Sequence, residues 1–186
     1  MYQAMATVTR GWSLFEQQRQ DEAIEQMREG LEALQATGTE FVRPHFLGLL
    51  AEALGKARQH DEPLGILENA LALVSKNGQR YYEAELYRLK GELLLMQSKC
   101  GGASADPDRT VVALAEDCFN EAIKIAQQQK AKSWELRAVM SLARLYQNRG
   151  KQAKARHLVT QIYDRFTEGF DTVDLREARA LLDELS

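Results

Sequence analysis

Proline is nearly missing from this sequence. Three occur in 186 residues, beside two cysteines and three histidines. So little proline leaves long stretches free to form uninterrupted helix. Two cysteines without a CxxC or Cys/His spacing exclude a disulfide-stapled scaffold, and Cys100 and Cys118 are expected as free thiols. His45, His60 and His157 are too scattered to form a metal set, and no nucleophile, phosphate loop or pair of catalytic acids stands out, so neither an enzyme nor a cofactor is expected. No apolar run approaches the length of a membrane span, and the start at Met1 lacks the charged and apolar regions of a signal peptide. A cytoplasmic protein without a membrane partner is the expectation. Neither charge sign dominates: the net charge is -3 and the pI about 5.7, which excludes the positive field of a nucleic-acid binder.

What is present is helix-forming composition. Hydrophobic residues make up 45% and charged residues 27%, with no convincing two-residue alternation of a strand, so the fold class is all-α.

The chain also repeats itself. Small residues at Gly11, Ala51, Gly91 and Ala143 are separated by 40, 40 and 52 positions, and Ala23, Pro63, Ala115 and Ala155 by 40, 52 and 40. One insertion of twelve residues between Gly91 and Ala115 explains both series. Leu14, Leu54, Leu94 and Tyr146 follow the first series by three, one helical turn on. Met27, Leu67, Phe119 and Val159 follow the second by four, and Gly30, Ala70 and Ala122 come three later; Ile162 breaks that column.

This alternation of small and large residues resembles the tetratricopeptide (TPR) family, with departures at Arg10, Lys90 and Pro63, a missing closing proline, and a period longer than the family's usual one. The segments Gly11-Trp12, Arg43-Pro44-His45-Phe46-Leu47, Leu50-Ala51-Glu52-Ala53, Glu83 to Leu94, Lys132 to Ala138 and Phe166 to Asp171 are similar to the C-terminal repeat region of bacterial signalling proteins. Those proteins join a class III adenylate cyclase or a DNA-binding domain to an AAA or STAND-type ATPase. The resemblance implies a single TPR-like superhelix and a regulatory role, without the cyclase or ATPase itself.

The expected repeats span about 2–38, 39–78, 79–129 and 130–168, with a capping helix at 171–185. Within them, the first helix runs from Tyr2 to Gln18, and Asp21 caps the second. Pro44 and Pro63 fall in first turns, and Asn77-Gly78 forms a left-handed terminus. Residues Cys100 to Thr110, rich in Gly, Ser and Asp-Pro, form a projecting mobile loop, and the next helix starts at Val111. The last helix of the fourth pair carries Leu158, Ile162 and Phe166, and Asp171 caps the closing helix. The absence of a matching N-terminal cap implies a piece of a longer array, or a first helix packed on another protein.

In such a stack the first helices line a concave wall. This places Trp12, Glu52, Glu92 and Arg144 in one row, Val8, Gly48, Arg88 and Met140 in the next, and Met5, His45, Glu85 and Arg137 beyond. Phe15, Glu16, Lys56, Met96 and Asn148 extend the wall on the other side. Two readings stay open. Arg88, Arg137 and Arg144 can hold a carboxylate of a bound peptide by forked hydrogen bonds, or Glu85 with Arg88, Arg88 with Glu92 and Glu52 with Lys56, three or four apart, pair along their own helices. Trp12 and Trp134 are likewise either interface anchors or packing. The function expected is non-catalytic protein–protein interaction with a protein or peptide segment, including other domains of the same parent. The alternatives are small-molecule sensing in the groove and weak homodimerisation through the N-terminal face.

Overall fold

In the computed structural model, residues 1–59, 62–100 and 109–186 are described, and among them helix predominates from the first residues to the last. The element order is α1 (Tyr2–Glu16), α2 (Gln20–Ala36), α3 (Arg43–Lys56), α4 (Pro63–Asn77), a 3-10 turn at Arg80–Tyr82, α5 (Glu83–Cys100), α6 (Arg109–Gln128), α7 (Lys132–Asn148), α8 (Gln152–Tyr163) and α9 (Val173–Glu184). No strand occurs among the described residues. Each odd helix pairs with the even helix that follows it, and α3, α5 and α7 also pack on their odd-numbered neighbours, so the odd helices form one layer.

Small residues set the spacing within a pair. A Cβ added to Gly11 would lie 2.6 Å from Met27 Cγ and 2.9 Å from the Ala23 carbonyl oxygen. A Cβ at Gly91 would lie 2.6 Å from the Phe119 ring, and Phe119 is the repeat equivalent of Met27. Ala51 and Ala143 hold the matching places and are fully buried, as are Ala23, Ala115 and Ala155. Both series of small residues therefore share one environment along the stack, at the seam between paired helices.

The turns carry the same register. Gln18, Arg58 and Gly150, each just after an odd helix, have φ of 64°, 60° and 71°. Their separations are 40 and 92, which is 40 plus 52. The following residue closes a six-residue left-handed terminus each time, with Arg19 N donating to Leu14 O, Gln59 N to Leu54 O and Lys151 N to Tyr146 O. After the even helices Gly38, Gly78 and Lys130 have φ of 67°, 66° and 56°, separated by 40 and 52. The chain thus reverses at identical positions whether or not glycine is available.

Several local expectations need correction. The residue at φ 64° ends α1 at Glu16, two residues before Gln18. Arg19, not Asp21, precedes α2, and Asp21 lies inside the first turn with Glu22, where its charge interacts favourably with the positive end of the helix dipole. Thr172, not Asp171, occupies the position before α9, and its Oγ1 donates to Gly169 O. Helix α8 stops at Tyr163, so Phe166 packs from the following loop. Of the Cys100–Thr110 loop, Cys100 ends α5 and Arg109 and Thr110 begin α6; residues 101–108 lie outside the described residues, as do His60 and Asp61. Pro44, Pro63 and Gly78 stand where expected. Cys118 is a free thiol, half-buried in α6.

Two stability measurements check this account. Gly11→Ala forces its methyl against α2 backbone and should cost about 1–3 kcal/mol in urea unfolding. Arg58→Gly relieves a side chain held at positive φ and should add about 0.5–1 kcal/mol. A neutral Gly11→Ala would contradict the close seam.

Candidate functional site

The odd-helix layer leaves one face uncovered, and seven of the residues assigned to the wall meet there in a single cleft. Glu52 and Lys56 come from α3, Arg88 and Glu92 from α5, and Arg137, Met140 and Arg144 from α7. They stand together because each keeps a fixed offset from the small residue of its helix: Glu52, Glu92 and Arg144 follow it by one, Arg88 and Met140 precede it by three, Arg137 lies a further turn before it and Lys56 a turn beyond Glu52, so successive helices present them side by side. Ser141 and three residues of α9, Val173, Asp174 and Glu177, complete a cleft of about 330 Å³.

Its charges are mutually engaged. Arg88, only 6% exposed, donates from Nε and Nη2 to the two carboxylate oxygens of Glu85 at 2.8 and 2.7 Å, and its Nη1 lies 2.6 Å from Glu92. Glu85, 1% exposed, also lies 3.0 Å from Arg137, and Ser141 donates to Glu92 at 2.7 Å. Burial alone would lower the Arg88 pKa, but the Glu85 hydrogen bonds and the Glu92 and Glu85 charges outweigh it and hold the guanidinium above its ordinary value. Toward solvent the pairs are looser: Lys56 with Glu52 at 2.9 Å, Arg144 with Glu177 at 3.3 Å, and Arg137 with Asp174 at 3.9 Å.

Four cations, Lys56, Arg88, Arg137 and Arg144, thus face five carboxylates, Glu52, Glu85, Glu92, Asp174 and Glu177. The cleft has no surplus of positive charge. Arg88 is enclosed by its own helix, as the pairing alternative has it, while Arg137 and Arg144 reach across to α9.

The other assigned residues lie around this centre. Trp12 and Phe15 stack with ring centroids 5.9 Å apart, and Lys56 Nζ sits 5.5 Å from the Trp12 ring, linking α1 to the cleft. Phe15 is buried, and Met5 and Met96 are half-buried against the same core. Val8 is turned away, packing on Gly30 of α2, and Gly48 faces Leu86 and Tyr82. Glu16 and Asn148 are exposed at the ends of α1 and α7. His45 lies apart at the start of α3, edge-on to Tyr82 at 4.4 Å. Trp134 is half-buried, T-shaped on Tyr82 at 5.3 Å, with the Arg137 guanidinium 5.3 Å from its ring. Sequence reasoning missed Asp174 and Glu177. The signal was their three-residue spacing at the start of the closing helix, which puts both carboxylates on one face.

No family profile and no curated protein matches this chain. Among solved structures, those of a protein assigned as a kinesin light chain from Podosopora anserina, built of nearly identical TPR-like repeats, and of its Q17M variant superimpose on it. Their TM-scores are 0.70 and 0.69 at 15% identity, covering 98% of this chain and 84% and 85% of theirs. The fold is therefore a TPR-like helical repeat.

Removing one member of the enclosed network should be far more costly than removing a rim charge. Glu85→Gln leaves two guanidinium groups short of a carboxylate and should lose about 3 kcal/mol in urea unfolding. Arg144→Gln, at an exposed pair, should lose under about 1 kcal/mol.

Proposed function

We propose that this chain is a non-catalytic protein-interaction scaffold, and that the odd-helix face holds an extended or helical segment of another protein or of a neighbouring domain of its own parent. The observation that carries this reading is the alignment of side chains from α3, α5, α7 and α9 along one uncovered wall. A surface built from equivalent positions of successive helices suits a long, thin ligand better than a compact one. The rim pairs Lys56–Glu52, Arg144–Glu177 and Arg137–Asp174 are solvent-exposed at least on one side, so exchanging them for charges of a partner costs little. The enclosed Glu85–Arg88 pair is expected to act as a rigid floor beneath them.

The resemblance to the repeat regions of bacterial cyclase and STAND-type proteins supports a regulatory place in a signalling protein, in the cytoplasm. Among the described residues no helix is long and apolar enough to cross a membrane. A second reading, small-molecule sensing, rests on the cleft volume of about 330 Å³, at the lower end of small-ligand pockets at roughly 300–1,000 Å³. Its lining is charged rather than apolar, which favours the peptide. Homodimerisation through α1 has less behind it. Where α3 buries Phe46, Leu50 and Ala53, the equivalent α1 residues are Ala6, Arg10 and Ser13, all exposed, so that face is polar apart from Met1 and Tyr2.

The test is charge reversal confined to the rim. Lys56→Glu with Arg144→Glu should abolish co-purification of the partner from the native cell while leaving the helical circular dichroism unchanged. Undiminished capture by the double variant would remove the groove from the proposal. A metabolite and nucleotide thermal-shift screen that finds a specific ligand for the wild type would favour sensing instead.

A further inference from the structure

The cleft imposes an order of charge on what it holds. Glu52, Glu92 and Arg144 occupy one repeat position on α3, α5 and α7, with separations of 40 and 52, so the row changes sign between α5 and α7. Each keeps some bonding capacity free. Glu52 meets Lys56 through Oε1, and Glu92 meets Arg88 and Ser141 through Oε1, which leaves Oε2 of both without a hydrogen bond among the described residues. Arg144 engages Glu177 through Nη2 alone, at 3.3 Å. The three side chains are 13%, 28% and 45% exposed and line the cleft, so a chain lying in it reaches all of them.

The step between neighbouring helices selects the backbone that can answer this row. Packed helices lie roughly 8–10 Å apart, so the carboxylate of α5 and the guanidinium of α7 are offset by about that distance. In an α-helix, residues seven apart return to one face after about 10.5 Å. An extended strand returns to one face after about 6.6 Å or about 13 Å, and neither matches. A polyproline II strand has a suitable step of about 9.3 Å, but its carbonyls are unbonded. They would face α3 and α5, whose spare groups are carboxylate oxygens. A helix bonds its carbonyls internally and presents side chains alone.

Resting on the interaction-scaffold reading, we propose that the occupant of the cleft is an α-helical segment of the partner with a basic and an acidic residue seven positions apart. The basic side chain sits against Glu52 and Glu92 and donates to their spare oxygens, and the acidic one accepts from Arg144. Lys56 keeps its place on Glu52 Oε1, with its Nζ 5.5 Å from the Trp12 ring. A segment bearing only cations would set one of them on Arg144, and a segment bearing only carboxylates would set one on Glu52 and Glu92. Opposite charge on one helical face is therefore what the cleft distinguishes, in either chain direction.

The experiment titrates the full chain against fluorescein-labelled, alanine-based helical peptides and reads anisotropy. A peptide with Lys and Glu seven apart should bind at least about fivefold more tightly than one of the same composition with the two five apart, on different faces of the helix. Arg144→Glu should invert the preference for this peptide over one with Lys at both positions, and Glu52→Gln should weaken the Lys–Glu peptide about threefold. Arg144→Gln, which should erase the preference without inverting it, serves if the reversal loosens α9. The proposal is overturned by absence of binding at millimolar peptide, by equal affinity for the two spacings, or by an Arg144→Glu chain that keeps the wild-type order. Any of these, beside loss of partner capture by the Lys56→Glu, Arg144→Glu chain, strikes the helix and its spacing and leaves the scaffold reading standing. Beside undiminished capture, it strikes both.

Discussion

The distance between the two backbones of each helix pair is the constraint on which the remaining structure depends. At Gly11 and Gly91 there is no room for a methyl group against α2 and α6, and at Ala51 and Ala143 a methyl is fully enclosed. A close seam held by a small residue in every pair keeps the pairs thin, and lets the next pair stack against the last. The rows of side chains on the uncovered face are a consequence of that offset. Larger residues at the seam would widen one pair and shift the rows beyond it, including residues that touch no partner.

The ion-pair floor of the cleft acts on a different part of the same problem. Between α5 and α6 the sequence period is interrupted by twelve residues, and α5 carries Lys90 where α3 and α7 carry the buried Leu50 and Leu142. The α5–α7 contact has Glu85 shared between Arg88 and Arg137, and Ser141 donating to Glu92. Sliding α7 by one turn would leave buried charges without partners, a penalty larger than that of most apolar mismatches. Burial of charge at this point does little for net stability but discriminates strongly between registers. The carboxylates of α9 extend the network, so the closing helix is joined to the wall by charge as well as by Leu175, Ala178 and Leu181.

Fold and pairing were legible because they rest on spacing, and spacing survives substitution. Seven of the wall residues came together for the same reason. What was not legible is instructive. Gln18, Arg58 and Lys130 take the left-handed conformation that local rules reserve for glycine, since the stacked helices on both sides dictate where the chain must reverse. Asp21 and Asp171 look like caps by residue type, yet the turn geometry puts Arg19 and Thr172 in those places. The spacing of Glu85, Arg88 and Glu92 allowed their pairing to be read, but not how deeply Glu85 and Arg88 are buried. Asp174 and Glu177 belong to the helix outside the repeat, where the period gave no guide.

Met1, Phe41, Tyr81 and Val173, exposed at one repeat position near the start of the odd helices, follow the same arithmetic that locates the buried anchors, applied to surface positions. Exposure there follows from geometry, because the start of each odd helix is where the chain crosses between layers and its side chain reaches neither. Apolarity does not follow. Ser133 fills the equivalent place in the fourth pair, also exposed, and the buried residues of α7 begin only at Glu135. The position therefore imposes no packing demand for a large apolar side chain. Of the seven large apolar residues exposed among the described residues, only Leu114 lies away from this edge or the loop that enters α9. Scattered exposed apolar residues are ordinary on any protein surface. Four gathered at one repeat position, two of them in ring contact, are not such a scatter.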